Sequence, residues 1–186
     1  MKIIFGLGNS KKQYDKTRHN FGFIAADYFA EVNNLKFKDS SKFNAQIAEF
    51  TSANSEKVLL VKPTTMMNLS GDSVRLLRDF YKFESRDVLV ICDDLDRDFG
   101  ECRVRTSGGH GGQNGLRSII NVLGEDFYRL RIGIANELRD NIDSADFVLS
   151  RFSKKELETT KNNADKLTSV IDNFIDNKLE ATSFQL

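Results

Sequence analysis

Short apolar runs recur along this chain, and the segments between them are long enough to cross over a sheet. The runs are Lys2–Leu7, Val58–Val61, Val88–Ile91 and Leu130–Ala135. Apolar residues at helical spacing lie between them, at 21–32, 74–81 and about 114–122. Parallel strands need such crossovers, usually helices. The sequence therefore predicts an α/β fold with a mixed, largely parallel twisted sheet flanked by helices.

Other elements follow from local signals. Alternating apolar residues at 43, 45 and 47 predict a half-exposed strand, and Glu101–Arg105 predicts a short one. Pro63 ends the second apolar run. A capping-box pattern at Ser153–Glu156 predicts a helix over about 153–177. At 186 residues we expect one catalytic domain spanning 1–186.

Composition is ordinary for a water-soluble globular protein. The chain is 40% apolar and 29% charged, with no apolar run of ~18 residues to cross a bilayer. No signal-peptide pattern precedes the first strand, so export is not expected. Cys92 and Cys102 lack disulfide-type spacing, which fits a reducing compartment. These features predict a cytoplasmic protein.

Charge is balanced overall but not locally. The formal net charge is zero, which gives no support for binding a polyanion. Residues 1–20 nevertheless hold five cations against Asp15 alone, and residues 101–131 hold five arginines against three acidic residues. Arginine is the fork-shaped partner of phosphate. Charge alone still favours a solvated mixed surface.

Gly6 and Gly8 follow the first strand and invite comparison with a dinucleotide-binding loop. Lys11 stands where that motif needs a third glycine, and about ten polar residues precede the next helix. We therefore reject that interpretation. Asn9 lies instead at a strand exit, where open α/β sheets bind ligands, although an Asx turn would also explain it.

His19 and Asp93 are candidates for acid–base chemistry. A lone histidine is usually structural, but polar Arg18 and Asn20 flank this one and argue against simple core packing. Asp93 leaves an apolar strand, where a carboxylate can orient an imidazole and raise its basicity. We expect the neighbouring acids to be solvated loop residues: Asp94, Asp96 and Asp98.

Metal and thiol chemistry have weaker support. The chain has no CxxC, no HExxH and no histidine pair four residues apart, so no metal is predicted. Both cysteines lie in strand-like runs, where a thiol usually acts as a small hydrophobe. Asn68 and Asn114 instead lie near predicted helix starts, where an amide can cap the helix or donate to an oxyanion. The glycines around His110 indicate either a mobile loop, or a lid or phosphate-contacting nest followed by a helix N-terminus at Asn114.

Five motifs together resemble bacterial-type peptidyl-tRNA hydrolases. In chain order they are "GLGNSKKQYDKTRHNFGF", "KPTTMMNLSG", "DDLDRDFG", "GGHGGQNGLRSI" and "YRLRIGIA". The resemblance covers residues 2 to about 150 and the C-terminal helix. It implies a monomeric enzyme with a phosphorylase/hydrolase-like sandwich fold and no metal or cofactor. The implied activity is hydrolysis of the ester between a peptide and the terminal ribose of tRNA, which recycles tRNA from peptidyl-tRNA that leaves ribosomes.

The resemblance also implies a role for individual residues. His19 matches the base that activates water, Asp93 matches its supporting carboxylate, and Asn9 matches the position that distinguishes peptidyl-tRNA from unblocked aminoacyl-tRNA. The remaining matches are substrate or tRNA contacts: Asn68, Asn114, Tyr14, Met66, Arg103, Arg105 and Arg131.

Some positions depart from the family pattern. Met66 replaces a common aromatic residue, and Gln113 stands where many members have histidine, which argues against proton handling at that position. A non-catalytic RNA-binding relative is the main alternative, but His19 and Asp93 are both present and favour an active enzyme. A nucleotide-binding dehydrogenase is disfavoured by the missing glycine.

Overall fold

An eight-stranded sheet runs through the protein, whose computed structural model describes residues 1–186. The strands are β1 (Lys2–Gly6), β2 (Lys38–Ser40), β3 (Ala45–Thr51), β4 (Lys57–Pro63), β5 (Val88–Asp98), β6 (Glu101–Arg105), β7 (Tyr128–Ala135) and β8 (Thr182–Gln185). The helices are α1 (Phe21–Val32), α2 (Ser70–Tyr81), α3 (Asn114–Leu123), α4 (Ser144–Leu149), α5 (Lys154–Asn162) and α6 (Ala164–Ile175).

The strand order is β2-β3-β4-β1-β5-β7-β6-β8. The central strands β4, β1, β5 and β7 are parallel, and the outer pairs on both sides are antiparallel. This arrangement confirms the predicted mixed α/β sheet, with parallel pairing confined to the central strands. Those strands carry the continuous apolar runs because both of their faces are buried.

Each face of the sheet is covered by helices. On one face, α1 and α6 contribute Phe21, Phe29, Leu167 and Ile171 to a core that also contains Ile4 and Leu60. On the other face, α2 and α3 contribute Val74, Leu77, Leu116 and Ile119 to a second core with Phe5 and Val90. The sheet therefore lies between two helical layers, as the alternation of strands and helices predicts.

The C-terminal region differs from its prediction. The capping box at Ser153 and Glu156 is present. The single helix predicted over 153–177 is wrong, because α5 and α6 are separated at Asn163, which has φ −116° and ψ 20°. The Asn163 side chain donates to the carbonyl of Thr159 at 2.9 Å, a local bond that competes with regular helix. Strand β8, which was not predicted, then pairs with β6. No helix in the fold combines the length and apolar character that crossing a bilayer requires.

Candidate active site

The carboxyl ends of β1 and β5 bring two distant segments together. The two strands are parallel, with Gly6 level with Ile91, so both chains leave the sheet at the same edge. His19 lies in a short 3-10 turn, Arg18–Asn20, that leads into α1. Gly22 lets this turn approach closely, since a Cβ there would collide with the backbone of Leu7 and Ile91. The turn consequently holds His19 beside the end of β5.

His19 and Asp93 form a hydrogen-bonded pair. Nδ1 of His19 lies 2.8 Å from Oδ2 of Asp93, and Oδ1 of Asp93 accepts a bond of 3.0 Å from the Gln113 amide. The Asp93 side chain is only 2% exposed and that of His19 is 12% exposed. With its Nδ1 proton donated to Asp93, the ring keeps a lone pair on Nε2 that can take a proton.

The environment of His19 adjusts its basicity in two opposing ways. Burial lowers the pKa of the imidazole, whereas the charge of Asp93 and the hydrogen bond to it raise the pKa. The pKa lies above its ordinary value because the two effects of Asp93 prevail. The ring is thus a stronger base than a free histidine, but it is neutral only above this raised pKa.

Asn9 is held so that its amide nitrogen remains available. Its backbone N–H donates to Oδ1 of Asn20 at 2.8 Å, and its carbonyl accepts from Nδ2 of Asn20 at 3.1 Å. Its own Oδ1 accepts from the backbone N–H of Met67 at 2.9 Å. A backbone N–H can only donate, so it fixes which side-chain atom is the oxygen. Nδ2 of Asn9 is left as a donor without a partner in the protein.

The residues flanking His19 are buried, although their polarity suggested otherwise. Arg18 and Asn20 are each 3% exposed. Arg18 forms a two-pronged pair with Glu156, with N–O distances of 2.8 and 3.0 Å, and lies between the rings of Phe147 and Phe152. Burial is tolerated here because both polar side chains have hydrogen-bond partners.

A cleft of about 840 Å³ opens beside the His19–Asp93 pair. It is lined by eight of the predicted site residues: Asn9, Tyr14, His19, Met66, Asn68, Asp93, Asn114 and Arg131. The Asn68 and Asn114 side chains are exposed and make no hydrogen bond within the protein. The lining is partly apolar and includes Leu95, Val148 and Leu149. Free amides, a base and apolar side chains therefore share one cavity.

Arg103 and Arg105 lie outside this cleft. They line a neighbouring pocket of about 420 Å³ that contains five arginines and no apolar residue. Arg131 borders both cavities and donates from Nε to Asp94 at 2.8 Å. The expectation of a solvated Asp94 is wrong: it is 4% exposed, and β5 continues through it to Asp98. The buried carboxylate of Asp94 is tolerated because the charge of Arg131 compensates it.

Sequence reasoning missed several residues of the cleft. Gln113 stood out only as a departure from the family, yet it contacts Asp93 directly. Its place just before a predicted helix was an available signal, because the residue before a helix often turns its side chain inward to cap it. The cleft also receives Arg117 from α3, Arg139 from a short turn, and α4, which carried no clear sequence pattern.

The side chains are not arranged for metal binding or for catalysis by a cysteine thiolate. No cluster of three or more histidine, cysteine or acidic side chains is arranged to hold a metal ion. Both cysteines are buried. Burial raises the pKa of the Cys102 thiol to about 12 and moves that of Cys92 far upward as well. Neither thiol forms a nucleophilic thiolate near neutral pH.

Comparison with known proteins points to one family for this chain. The family model described as peptidyl-tRNA hydrolase matches residues 3–186. Proteins named peptidyl-tRNA hydrolase from Rickettsia africae and Rickettsia felis are 44% and 43% identical over 180 residues, which is 97% of this chain and 96% of each relative. The crystal structure of peptidyl-tRNA hydrolase from Acinetobacter baumannii superposes with a TM-score of 0.85 at 32% identity, covering 96% of this chain and 90% of that one. This chain belongs to the peptidyl-tRNA hydrolase family.

Proposed function

We propose that this protein hydrolyses the ester bond between a peptide and the 3′-terminal ribose of tRNA. The main support is the His19–Asp93 pair, which lines the cleft and leaves one ring nitrogen of His19 free. The chain is also a member of the peptidyl-tRNA hydrolase family. Such an enzyme returns tRNA to translation after peptidyl-tRNA leaves the ribosome. We expect it to act in the cytoplasm, as a monomer, and with no metal or cofactor.

The reaction needs a base, a water and a donor for the oxyanion. Nε2 of His19 removes a proton from water, and the resulting hydroxide attacks the ester carbonyl. The tetrahedral oxyanion accepts hydrogen bonds from the amides of Asn68 and Asn114, which are free to donate. The intermediate then collapses, and the imidazolium returns its proton to the departing ribose oxygen. A positioned base of this kind is worth ~10² to 10⁴ in rate.

Asn9 supplies selectivity for a blocked amino group. Its free Nδ2 is a donor, so it suits the carbonyl oxygen of a peptide bond. A free aminoacyl-tRNA carries an ammonium group in that region, which has only donors and finds no acceptor on Nδ2. The preference for peptidyl-tRNA therefore follows from the orientation of one amide.

Binding of tRNA rests on phosphate contacts and on the acceptor end. Tyr14 and Met66 line the cleft rim, and Arg103 and Arg105 line the adjacent arginine-rich pocket. Arg131 connects the two cavities. Contacts of this kind do not read base sequence, and they require one basic face and no excess of positive charge overall. A chain of zero net charge can therefore bind tRNA.

The decisive measurement is release of the acyl group from N-blocked aminoacyl-tRNA. We expect His19→Ala to abolish release while tRNA binding, followed by filter retention, persists. His110→Ala is the matched control because His110 is the only other histidine and does not line the cleft. Full activity of His19→Ala would refute the mechanism, and binding without release by the unaltered protein would identify a non-catalytic RNA-binding protein.

A further inference from the structure

Gln113 is held at both ends of its amide group. It is the residue immediately before α3, and its Oε1 accepts a hydrogen bond of 2.7 Å from the backbone N–H of Leu116. Its Nε2 donates to Oδ1 of Asp93 at 3.0 Å. The residue is 7% exposed, so water does not compete effectively for either bond. Gln113 thus joins the start of α3 to the carboxylate beside His19.

The direction of these hydrogen bonds is fixed. The Leu116 N–H can only donate, so it must face Oε1 of Gln113, and the Gln113 NH₂ must then face Asp93. One carboxylate oxygen is occupied in this way, and the other is left for Nδ1–H of His19. The lone pair of the imidazole is therefore confined to Nε2. The tautomer follows from the ionised Asp93 carboxylate, which can only accept, and the Leu116 N–H fixes which end of the Gln113 amide faces that carboxylate.

We propose that Gln113 is a positioning residue, which orients Asp93 and thereby His19 through an amide that cannot itself titrate. The proposal rests on the roles proposed for His19 and Asp93. Two residues then orient His19, Asp93 directly and Gln113 through Asp93, and only Asp93 can ionise. The amide donor also offsets part of the carboxylate charge that stabilises the protonated imidazole.

No other charged group makes this contact. Asp96, Arg117, Arg131 and Arg139 line the same cleft from neighbouring elements. None of them forms a hydrogen bond or ion pair with Gln113 or with the His19–Asp93 pair. Asp93 therefore takes its orientation from two partners only, and the loss of Gln113 would leave one.

Gln113→Asn separates the two functions of the amide. Asparagine is a favoured N-cap residue, so it preserves the start of α3. Its side chain is one methylene shorter, so its NH₂ withdraws from Asp93. We expect kcat to fall about tenfold to a hundredfold, because an error of about 1 Å in the position of a reacting group costs up to ~10² in rate. KM and tRNA binding should change little, and the acid limb of the pH profile should move to higher pH.

Gln113→His tests whether a different N–H donor to Asp93 can replace the Gln113 amide. A ring N–H can replace the amide donor to Asp93, so we expect this variant to recover most of the decrease in kcat seen in Gln113→Asn. It should also add a second ionisation to the pH profile, because an imidazole titrates near neutral pH and an amide does not. Failure of Gln113→His to exceed the asparagine variant would count against the donor role.

Gln46→Asn is the matched control. Gln46 is the other glutamine whose side chain donates to an aspartate: its Nε2 lies 2.9 Å from Oδ1 of Asp39, on an exposed part of the sheet. The substitution shortens this side chain by one methylene, as Gln113→Asn does. It should leave kcat and the pH profile unchanged. Wild-type kcat and an unmoved acid limb in a folded Gln113→Asn would overturn the proposal. With that result, an inactive His19→Ala would mean that only the role of Gln113 is wrong. An active His19→Ala would mean that the proposed role of His19 as the base is wrong as well.

Discussion

Asp93→Asn should damage this site more than Asp93→Ala. The NH₂ of Gln113 points at position 93 and requires an oxygen there. An asparagine would meet that requirement with Oδ1 and turn its own NH₂ toward Nδ1 of His19. That ring nitrogen would then have to accept, which moves the ring proton to Nε2 and removes the lone pair that activates water. Alanine imposes no such tautomer.

The expected magnitudes follow from the geometry of the pair. The Nδ1···Oδ2 distance is 2.8 Å, and Asp93 is only 2% exposed, so bulk water cannot substitute for the carboxylate. A wrong tautomer costs ~10⁴ in the comparable Ser-His-Asp arrangement, or about 5.4 kcal/mol. Loss of orientation alone costs ~10², or about 2.7 kcal/mol. The alanine variant should therefore be roughly a hundredfold more active than the asparagine variant.

The pH dependence of activity provides an independent test, because the direction in which the acid limb moves can be predicted. A general base works only when it is neutral, so wild-type activity falls as the pH drops through the raised pKa of His19. Without Asp93, burial remains and lowers the pKa of the ring. The residual activity of Asp93→Ala should consequently persist to lower pH than wild-type activity does.

Single-turnover release from N-blocked aminoacyl-tRNA, measured across pH, distinguishes these outcomes. Circular dichroism would establish that both variants fold. Activity of Asp93→Asn equal to or above that of Asp93→Ala would refute the tautomer argument. An acid limb at higher pH in Asp93→Ala would refute the electrostatic argument.

Three further variants test other parts of the structure. Asn9→Asp keeps the acceptor for its backbone donor but loses the free NH₂, so the ratio of blocked to free aminoacyl-tRNA hydrolysis should fall about tenfold. Arg18→Met removes the buried cation that pairs with the half-buried Glu156 carboxylate, and the free energy of unfolding in denaturant should fall by about 3–5 kcal/mol. The double change Arg103→Ala and Arg105→Ala should reduce the slope of log affinity against log salt by about one for each phosphate that the arginines no longer neutralise.

The stability and salt-slope predictions each have a control on the surface. Arg75 pairs with Asp72, and both side chains are exposed, so Arg75→Met should cost less than about 1 kcal/mol. Arg86 is 78% exposed and precedes β5 at the end of the strand away from the cleft, so Arg86→Ala should leave the salt slope unchanged. An unaltered substrate ratio, a loss of stability no larger than that of Arg75→Met, or an unaltered slope in the double variant would each contradict its prediction.

The central sheet was predictable because its signal is local and strong. Val58–Val61 and Val88–Ile91 are apolar throughout, as expected of strands buried on both faces. Strand β8 has no such pattern, since Thr182–Gln185 is short and mostly exposed and depends on its pairing with β6. The break at Asn163 was missed because the helical spacing of apolar residues continues across it. The hydrogen bond from the Asn163 side chain to the Thr159 carbonyl, which accompanies the break, has no counterpart in that spacing.

The site was predictable to the extent that strand ends converge. Asn9 and Asp93 each follow an apolar run, and parallel strands place such residues at one edge of a sheet. The state of Asp94 depended on Arg131, which is 37 residues away in sequence and reaches it only through the pairing of β5 with β7. Sequence spacing does not report contacts of this kind, so a buried ion pair was mistaken for a solvated loop.

Backbone donors fix the orientation of two side-chain amides in this cleft. The N–H of Met67 binds Oδ1 of Asn9 and leaves its NH₂ without a partner in the protein. The N–H of Leu116 binds Oε1 of Gln113 and directs its NH₂ to Asp93. Each amide therefore has one permitted orientation, set by a main-chain group beside a helix start. Isosteric acids at either position would keep the backbone bond and lose the donor. Asn9→Asp removes such a donor without a change of shape, and Gln113→Asn withdraws one by a methylene, so these two substitutions are the sharpest probes of function in this chain.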